Sequence, residues 1–137
     1  MIKIESFRGK TKLDLLRAIV ASEDYPDITN QEQADAVARK LVPHESYYQA
    51  KVIDRVKKLR PKAFVWKVAQ GPYSRVGVPD VCACIDGVFY GFEVKRPFFG
   101  QTTKAQEKCM RDIIEAGGRA YVVSYPEDVD AVLGKEG

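Results

Sequence analysis

The sequence has few of the residues that build disulfide scaffolds, zinc sites or membrane spans. It contains 3 Cys and 1 His in 137 residues, and no CxxC pair, so neither a zinc site nor a disulfide framework is expected. No stretch approaches the roughly 20 apolar residues of a membrane-spanning helix. The first residues, M-I-K-I-E, lack the apolar segment of a signal peptide. We therefore expect a cytoplasmic location in a reducing compartment, and no membrane partner.

The length and composition are those of one compact folded domain, and its excess positive charge lies on one part of the chain. Hydrophobic residues make up 45% and charged residues 30%, which excludes an intrinsically disordered chain. Positive and negative residues cancel over Met1–Val42, so the net charge of +3 belongs to the remainder. The segment Lys51–Arg75 has a single acid, Asp54, among its many lysines and arginines. Such a segment is either a solvated helix face or a surface for a polyanion such as a phosphate backbone.

Hydrophobic periodicity and turn signals predict an N-terminal helical extension, residues 1–42, followed by a core, residues 43–137, with which it is expected to form one compact unit. The extension has two helices, Thr11–Ser22 and one that begins at the capping box of Thr29 and Glu32 and ends near Leu41. The core has the predicted order α-β-β-β-α-β-α. Its predicted elements are His44–Arg60, Ala63–Ala69, Val81–Ile85, Val88–Val94, Thr103–Ala116, Arg119–Ser124 and Pro126–Leu133.

A hairpin brings two acids together. Asp86-Gly87 is a preferred pair for a two-residue type I′ turn, which makes the numbers of paired residues add to 173. Asp80 then lies opposite Glu93, and cross-strand Cβ atoms are roughly 4.5–5.5 Å apart. Lys95 follows Glu93 by two residues and lies on the same face.

Two carboxylates at that distance repel each other, so something must offset the repulsion. A shared proton is one solution, and a divalent cation is another. Oxygen ligands without His or Cys favour Mg²⁺ or Mn²⁺, which would polarise a phosphate and acidify a water molecule. The alternative is structural, with Asp80 capping a turn and Glu93 and Lys95 forming a surface ion pair. The apolar neighbours on that face argue against it, and we interpret two of them, Cys82 and Cys84, as small buried residues.

Two further polar residues are candidates for the same site. Glu45 lies in line with the apolar stripe of the third helix, as a third acidic group or as a favourable first-turn carboxylate. Gln106 lies on the apolar stripe of its helix and either holds a water or phosphate or completes a capping box with Thr103. For contacts with phosphate groups we predict a basic stripe on the third helix and further residues near the loop before Asp80. These residues are Lys51, Arg55, Lys58, Lys62, Lys67, Ser74 and Arg75.

An ordered set of these motifs resembles the PD-(D/E)xK nuclease core, and within it the VRR-NUC (virus-type replication-repair nuclease) branch, over about Pro43–Leu133. The motifs are Glu45 with Gln49, Val65-Trp66-Lys67, Gly77-Val78-Pro79-Asp80, Glu93-Val94-Lys95 and Lys104-Ala105-Gln106. The resemblance implies a restriction-endonuclease-like α/β fold with a mixed sheet flanked by helices. It also implies Asp80, Glu93 and the Val94 carbonyl as metal ligands, Lys95 as the catalytic lysine, and Glu45 and Gln106 as accessories.

The expected function is that of an endodeoxyribonuclease dependent on Mg²⁺ or Mn²⁺. The resemblance implies branched DNA as the substrate, and Holliday-junction resolution in DNA repair by a homodimer from a bacterium or a phage-infected cell. We expect no nucleotide cofactor. The alternatives are a non-cleaving DNA-binding module of the same fold and a restriction-type nuclease that reads a short sequence.

Overall fold

A computed structural model describes residues 1–136, and the chain divides into two compact units, Met1–Pro43 and His44–Gly137. The expectation that they form one body stays a prediction. The first unit begins with a short 3-10 helix, Ile4–Phe7, which the sequence did not indicate. Helices α1 (Lys12–Ala21) and α2 (Gln31–Leu41) follow, and they pack against each other. Their buried apolar side chains are Leu15, Leu16 and Ile19 of α1 and Ala34 and Ala38 of α2.

Each of these helices begins at a side-chain cap. Thr11 caps α1, and its hydroxyl accepts from the Asp14 amide N–H at 3.1 Å. The cap of α2 is Asn30, whose Oδ1 accepts from the Gln33 N–H at 2.9 Å. The prediction of a capping box at Thr29 was therefore wrong by one residue. Asparagine is at least as good an N-cap as threonine, and Gln33 instead accepts from the Thr29 N–H.

The second unit has the predicted order of elements around a four-stranded mixed sheet. Strands β1 and β2 and strands β2 and β3 pair antiparallel, whereas β3 and β4 pair parallel, in the order β1-β2-β3-β4. The elements are α3 (Glu45–Leu59), β1 (Phe64–Lys67), β2 (Val81–Ile85), β3 (Val88–Val94), α4 (Lys104–Glu115), β4 (Arg119–Val123) and α5 (Pro126–Glu136). The predicted α/β class and mixed sheet are confirmed. Within the described residues, no helix is long and apolar enough to cross a membrane.

The β2–β3 hairpin has the register that the Asp86-Gly87 turn predicts. Both turn residues have positive φ, 51° and 79°, as a type I′ turn requires. The pairs run from Ile85 with Val88 to Val81 with Phe92. The prediction that paired numbers add to 173 is confirmed.

Helices cover both faces of this sheet. Helices α3 and α5 pack together over the face of Phe92 and Val94, where the buried side chains include Val52 and Leu133. Helix α4 packs on the opposite face, at β3 and β4. Side chains on this second face alternate with those of the first, and it carries the predicted acids.

Candidate active site

Asp80 and Glu93 meet at the open end of the hairpin, on the face that α4 covers. The β1–β2 ladder continues past β2, since the Val68 N–H donates to the Asp80 carbonyl at 2.8 Å. The Asp80 carboxylate then accepts from the Val94 N–H, with 3.0 Å between N and Oδ2. This bond fixes Asp80 beside Glu93, whose side chain is 0% exposed.

Glu93 is held in an environment that disfavours its charge. Burial above all, with the hydrogen bond to Asp80 and the negative charge of Asp80, raises the pKa of this carboxyl to about 8 against the opposing effect of Lys95. Oε1 lies 3.0 Å from the Gln106 Nε2 and 3.6 Å from the Lys95 Nζ. Oε2 is buried and receives no N–H or hydroxyl donor from the described residues. A carboxylate oxygen in that position needs a proton or a cation.

Gln106 completes the capping box, which is one of the two roles that the sequence offered, and it also contacts Glu93. Its Oε1 accepts from the Thr103 N–H at 2.9 Å and its own N–H donates to the Thr103 hydroxyl, which completes the capping box of α4. Its Nε2 donates to Glu93. The first turn of α4 thus anchors the acid directly, rather than through a water or phosphate.

Glu45 lies within electrostatic reach of the pair but is not part of it. It is the first residue of α3 and is half-buried. Burial and the charge of Asp80 raise its pKa, whereas the ammonium groups of Lys95 and Lys67 lower it. On the same helix, Gln49 is 7% exposed. The structure therefore brings Glu45, Asp80, Glu93, Lys95 and Gln106 to one end of the sheet.

The donor set fits a small hard cation that keeps part of its water shell. Within residues 1–136, no group of three or more His, Cys, Asp and Glu side chains converges as a metal site. Mg²⁺ commonly binds through one or two carboxylates, with waters and substrate phosphates as its other ligands. The carboxylates of Asp80 and Glu93 fit that description, and the Oε2 atom of Glu93 has no hydrogen-bond donor among the described residues. The Val94 carbonyl as a ligand stays a prediction.

The two cysteines of β2 differ in burial, and only Cys82 is buried as predicted. Cys82 is buried next to the acids, and burial raises the pKa of its thiol to about 11, so it is a neutral packing residue. Cys84 is exposed, so the prediction that it is buried was wrong. It lies nearer the hairpin turn, opposite Phe64 and Phe89, and both of these side chains are exposed as well.

The predicted phosphate-binding residues are not equivalent in the structure. Lys51, Lys58, Lys62 and Lys67 are exposed, and the Lys51 Nζ lies 5.4 Å from the centre of the Tyr47 ring. Arg55 differs, because its guanidinium is 2.6 Å from Asp130 and 3.8 Å from Glu127, both on α5. This pairing ties α3 to α5, so we leave Arg55 out of the proposed DNA interface.

The loop between β1 and Asp80 uses its polar residues differently. The Ser74 hydroxyl closes the loop, accepting from the Gly71 N–H at 2.9 Å and donating to the Ala69 carbonyl at 3.2 Å. Arg75 is 70% exposed and lies 3.6 Å from Asp112. A DNA contact by Ser74 therefore requires this loop to open, whereas Arg75 is accessible as it stands.

Gly77 places the loop before Asp80 against α4, a contact that the sequence did not indicate. Its φ is +85°, and an added Cβ would lie 2.4 Å from the Ala105 carbonyl oxygen. The only signal in the sequence is that Gly77 begins the Gly-Val-Pro-Asp motif. Its lack of a side chain lets the loop before Asp80 reach the first turn of α4, where Gln106 lies.

We expect Gly77→Ala to lower the free energy of unfolding by about 2–5 kcal/mol, because it adds backbone strain to an overlap with Ala105. Urea unfolding followed by circular dichroism measures this. Gly117→Ala is the matched control, since its φ is +96° and no atom lies within 4 Å of the added Cβ. The control should lose only about 1–2 kcal/mol. Equal losses in the two variants would contradict the close contact with α4.

Two solved structures share this fold. One, described as "VRR_NUC domain", is 23% identical and has a TM-score of 0.54, covering 66% of this chain and 94% of its own. The other, a "VRR_NUC domain protein", is 19% identical with the same TM-score, and the match covers 66% of this chain and 85% of that one. No protein-family model and no curated protein sequence matches the chain.

The likeness confirms the VRR-NUC fold that the motifs predicted. At this level of identity it establishes the fold alone. The chemistry therefore depends on the side chains of this chain, and above all on the buried pair of acids with Lys95 and Gln106 attached.

Proposed function

We propose that this chain, which has the VRR-NUC fold, is a metal-dependent endonuclease that hydrolyses phosphodiester bonds in branched DNA. The observation that carries the proposal is the buried carboxyl of Glu93, which faces Asp80 and has one oxygen without a donor. A fold selected only for stability would not keep two acids in contact at a poorly solvated position. A site that takes up a cation requires such a pair.

Asp80 and Glu93 would hold Mg²⁺ or Mn²⁺, with the Val94 carbonyl as a further candidate ligand. The cation would supply polarisation of the scissile phosphate and acidification of a water molecule. The chain fixes both carboxylates beforehand: the Val94 N–H holds Asp80, and Gln106 holds Glu93. Because these hydrogen bonds already exist, little reorganisation is required when the site is filled.

Lys95 supplies the positive charge that belongs to the protein itself. Its side chain is 13% exposed, and its Nζ lies 3.6 Å from the Glu93 Oε1. An ammonium group there would orient the attacking water or stabilise negative charge on the phosphate as the bond breaks. Glu45, with its raised pKa, would hold a proton or a water at the edge of the site.

DNA would approach along the exposed lysines of α3 and β1. Lys51 and Lys58 lie on the outer surface of α3, and Lys62 and Lys67 flank β1. Lys67 is close enough to lower the pKa of Glu45, so the basic surface reaches the site. Arg75 would add a contact from the loop before Asp80.

A cleavage panel tests the proposed function. Holliday junction, flap, splayed arm and plain duplex would each be incubated with the full chain and Mg²⁺, Mn²⁺ or EDTA. We expect cuts located by the junction, and none in EDTA. Retained binding without cleavage would favour the non-cleaving module, and discrete cuts in linear duplex would favour a restriction-type nuclease. Protein mass in solution, measured in parallel, tests the predicted homodimer.

We expect the double variant of Lys51→Ala and Lys58→Ala to weaken DNA binding and flatten its salt dependence. Each phosphate contact contributes about 0.9 to the slope of log K against log salt, so the slope should fall by about 1.8. Fluorescence anisotropy with labelled duplex at salt concentrations between about 50 and 200 mM measures this slope. An unchanged slope would place the DNA path elsewhere.

Arg55→Ala is the matched control for that experiment. It removes a positive charge from the same helix, but one that already pairs with Asp130 and Glu127. We expect the salt slope to change little and the unfolding midpoint to fall. A salt slope reduced as much as in the double lysine variant would show that Arg55 does contact DNA.

A further inference from the structure

An exposed aromatic patch lies on the same face of the sheet as the acids. Phe64 is 66% exposed, Trp66 is 41% exposed and Phe89 is 37% exposed. The Phe64 and Trp66 rings are in edge contact, with 5.3 Å between their centres. Cys84 lies between Phe64 and Phe89 in the strand register and is also exposed. Monomeric proteins do not often leave such a group of aromatic side chains uncovered without a ligand.

The patch begins within a few residues of the proposed site. Trp66 pairs with Cys82, which is two residues from Asp80, and Phe64 pairs with Cys84, which is four residues away. From the rise and spacing of strands, the Cα atoms of Trp66 and Phe64 lie about 8 and 14 Å from that of Asp80. These distances correspond to about two to four nucleotides at 3.4 Å per stacked nucleotide.

The charges around the patch favour a polyanion over a second copy of the chain. The segment from Arg60 to Pro79 contains no acidic residue; Lys62 is exposed two residues before β1, and Lys67 is exposed as its last residue. Strand β1 is an edge of the sheet, and lysines on an edge strand oppose pairing with another edge. Two copies joined along β1 would bring their lysines close together.

We propose that Phe64 and Trp66 form a stacking platform for unpaired nucleobases beside the carboxylate site. This inference rests on the proposed nuclease function, and it names the part of the substrate that the site selects: a single-stranded segment next to the cleaved bond. Exposed aromatic rings flanked by cations bind single-stranded DNA in this way, because every base has a face that stacks. Phe89 extends the platform toward the hairpin turn.

The protein contains its own probe, because Trp66 is its only tryptophan. The full chain would be titrated in EDTA, where no cleavage is expected, with a 12-nucleotide oligo-dT and with a 12-base-pair duplex. We expect oligo-dT to quench Trp66 emission strongly, and duplex to quench it weakly. Emission unchanged by saturating oligo-dT would overturn the platform.

Variants test the affinity. Stacking is worth about 1–3 kcal/mol per base, so Trp66→Ala and Phe64→Ala should each weaken binding of fluorescein-labelled oligo-dT by roughly 5–150-fold. Trp66→Phe should restore most of the lost affinity. Ile114→Ala is the control, since Ile114 is an exposed apolar residue (55%) on α4 outside the patch. Affinity reduced equally by Ile114→Ala, or not reduced by Trp66→Ala, would overturn the proposal.

The same measurements distinguish the platform from the nuclease activity. Quenching by oligo-dT without cleavage of any DNA in the panel would contradict the proposed function and support the platform. If Trp66→Ala cleaves with the native preference for flap over duplex, the proposed function is supported and the platform is contradicted. Trp66 emission that changes with protein concentration alone, together with a doubled mass that Phe64→Ala abolishes, would show that a second copy covers this face.

Discussion

Replacing Asp80 with asparagine is expected to abolish Mg²⁺-dependent cleavage while leaving the metal-free fold as stable as the native protein or more stable. The carboxamide oxygen can still accept from the Val94 N–H, which the carboxylate accepts at 3.0 Å. The negative charge that raises the pKa of Glu93 is removed. We expect the cleavage rate to fall by at least about 10³-fold, as for loss of a group essential to charge stabilisation. Single-turnover cleavage and thermal unfolding in EDTA measure the two effects.

Asp86→Asn is the matched control, because it makes the same chemical change in the same hairpin. Asp86 is exposed and occupies the type I′ turn with a φ of 51°, a conformation that asparagine also favours. This variant should cleave at the native rate and unfold at the native temperature. Cleavage at the native rate by Asp80→Asn would contradict the assignment of Asp80 as a metal ligand. A large loss of stability in Asp80→Asn would show that the charge of this acid stabilises the fold, which would contradict the repulsion between the two carboxylates.

The combination of the two readouts separates a catalytic from a structural acid. Replacing a residue that is kept for stability destabilises the protein. Replacing one member of a repulsive pair that is kept for function stabilises it. Gln106 does not permit so clean a test, because it completes the α4 capping box and also donates to Glu93. Its replacement is expected to affect the helix and the site together.

Local signals were enough to predict the arrangement of the acids. The Asp86-Gly87 turn fixes the hairpin register because only one pairing is compatible with a two-residue loop, and that register brings Asp80 to Glu93. Thr103 and Gln106 similarly predicted where α4 begins. In each case the determining residues lie within a few positions of one another, so the sequence alone carries the geometry.

Contacts between distant segments could not be predicted in this way. The partner of Arg55 is Asp130, 75 residues further along the chain, and nothing in the spacing of α3 indicates that α5 lies beside it. The exposure of Cys84 and Phe64 depends on where α4 stops covering the sheet. A strand in which every residue but one is buried gives no periodic signal for the exception. The close approach of Gly77 to Ala105 likewise joins two segments that are 28 residues apart in the sequence.

The metal-free protein is expected to lose stability as pH rises from about 5.5 to 8.5. The pKa of Glu93 is about 8 in the folded chain, against an ordinary value of 4.5. Between these values the folded state retains a proton that the unfolded state has released, so stability falls with pH. The stabilisation by this proton is complete below about pH 4.5 and absent above about pH 8.5. One pKa unit is worth about 1.4 kcal/mol, so a shift of this size corresponds to on the order of a few kcal/mol.

Thermal unfolding in EDTA at a series of pH values measures this dependence, with Glu93→Gln as the control. The control cannot release a proton at this position, so its unfolding temperature should fall much less over the window, and the raised pKa of Glu45 accounts for the fall that remains. The acids whose pKa values are lowered, such as Asp35 beside Lys12 and Arg39, titrate below their ordinary value of 3.8 and so lie outside this window. Saturating Mg²⁺ should raise the unfolding temperature most at high pH, since binding to the folded state alone stabilises it. An unfolding temperature of the native protein that is level or rises between pH 5.5 and 8.5 would contradict a protonated Glu93, and so would an equal fall in Glu93→Gln.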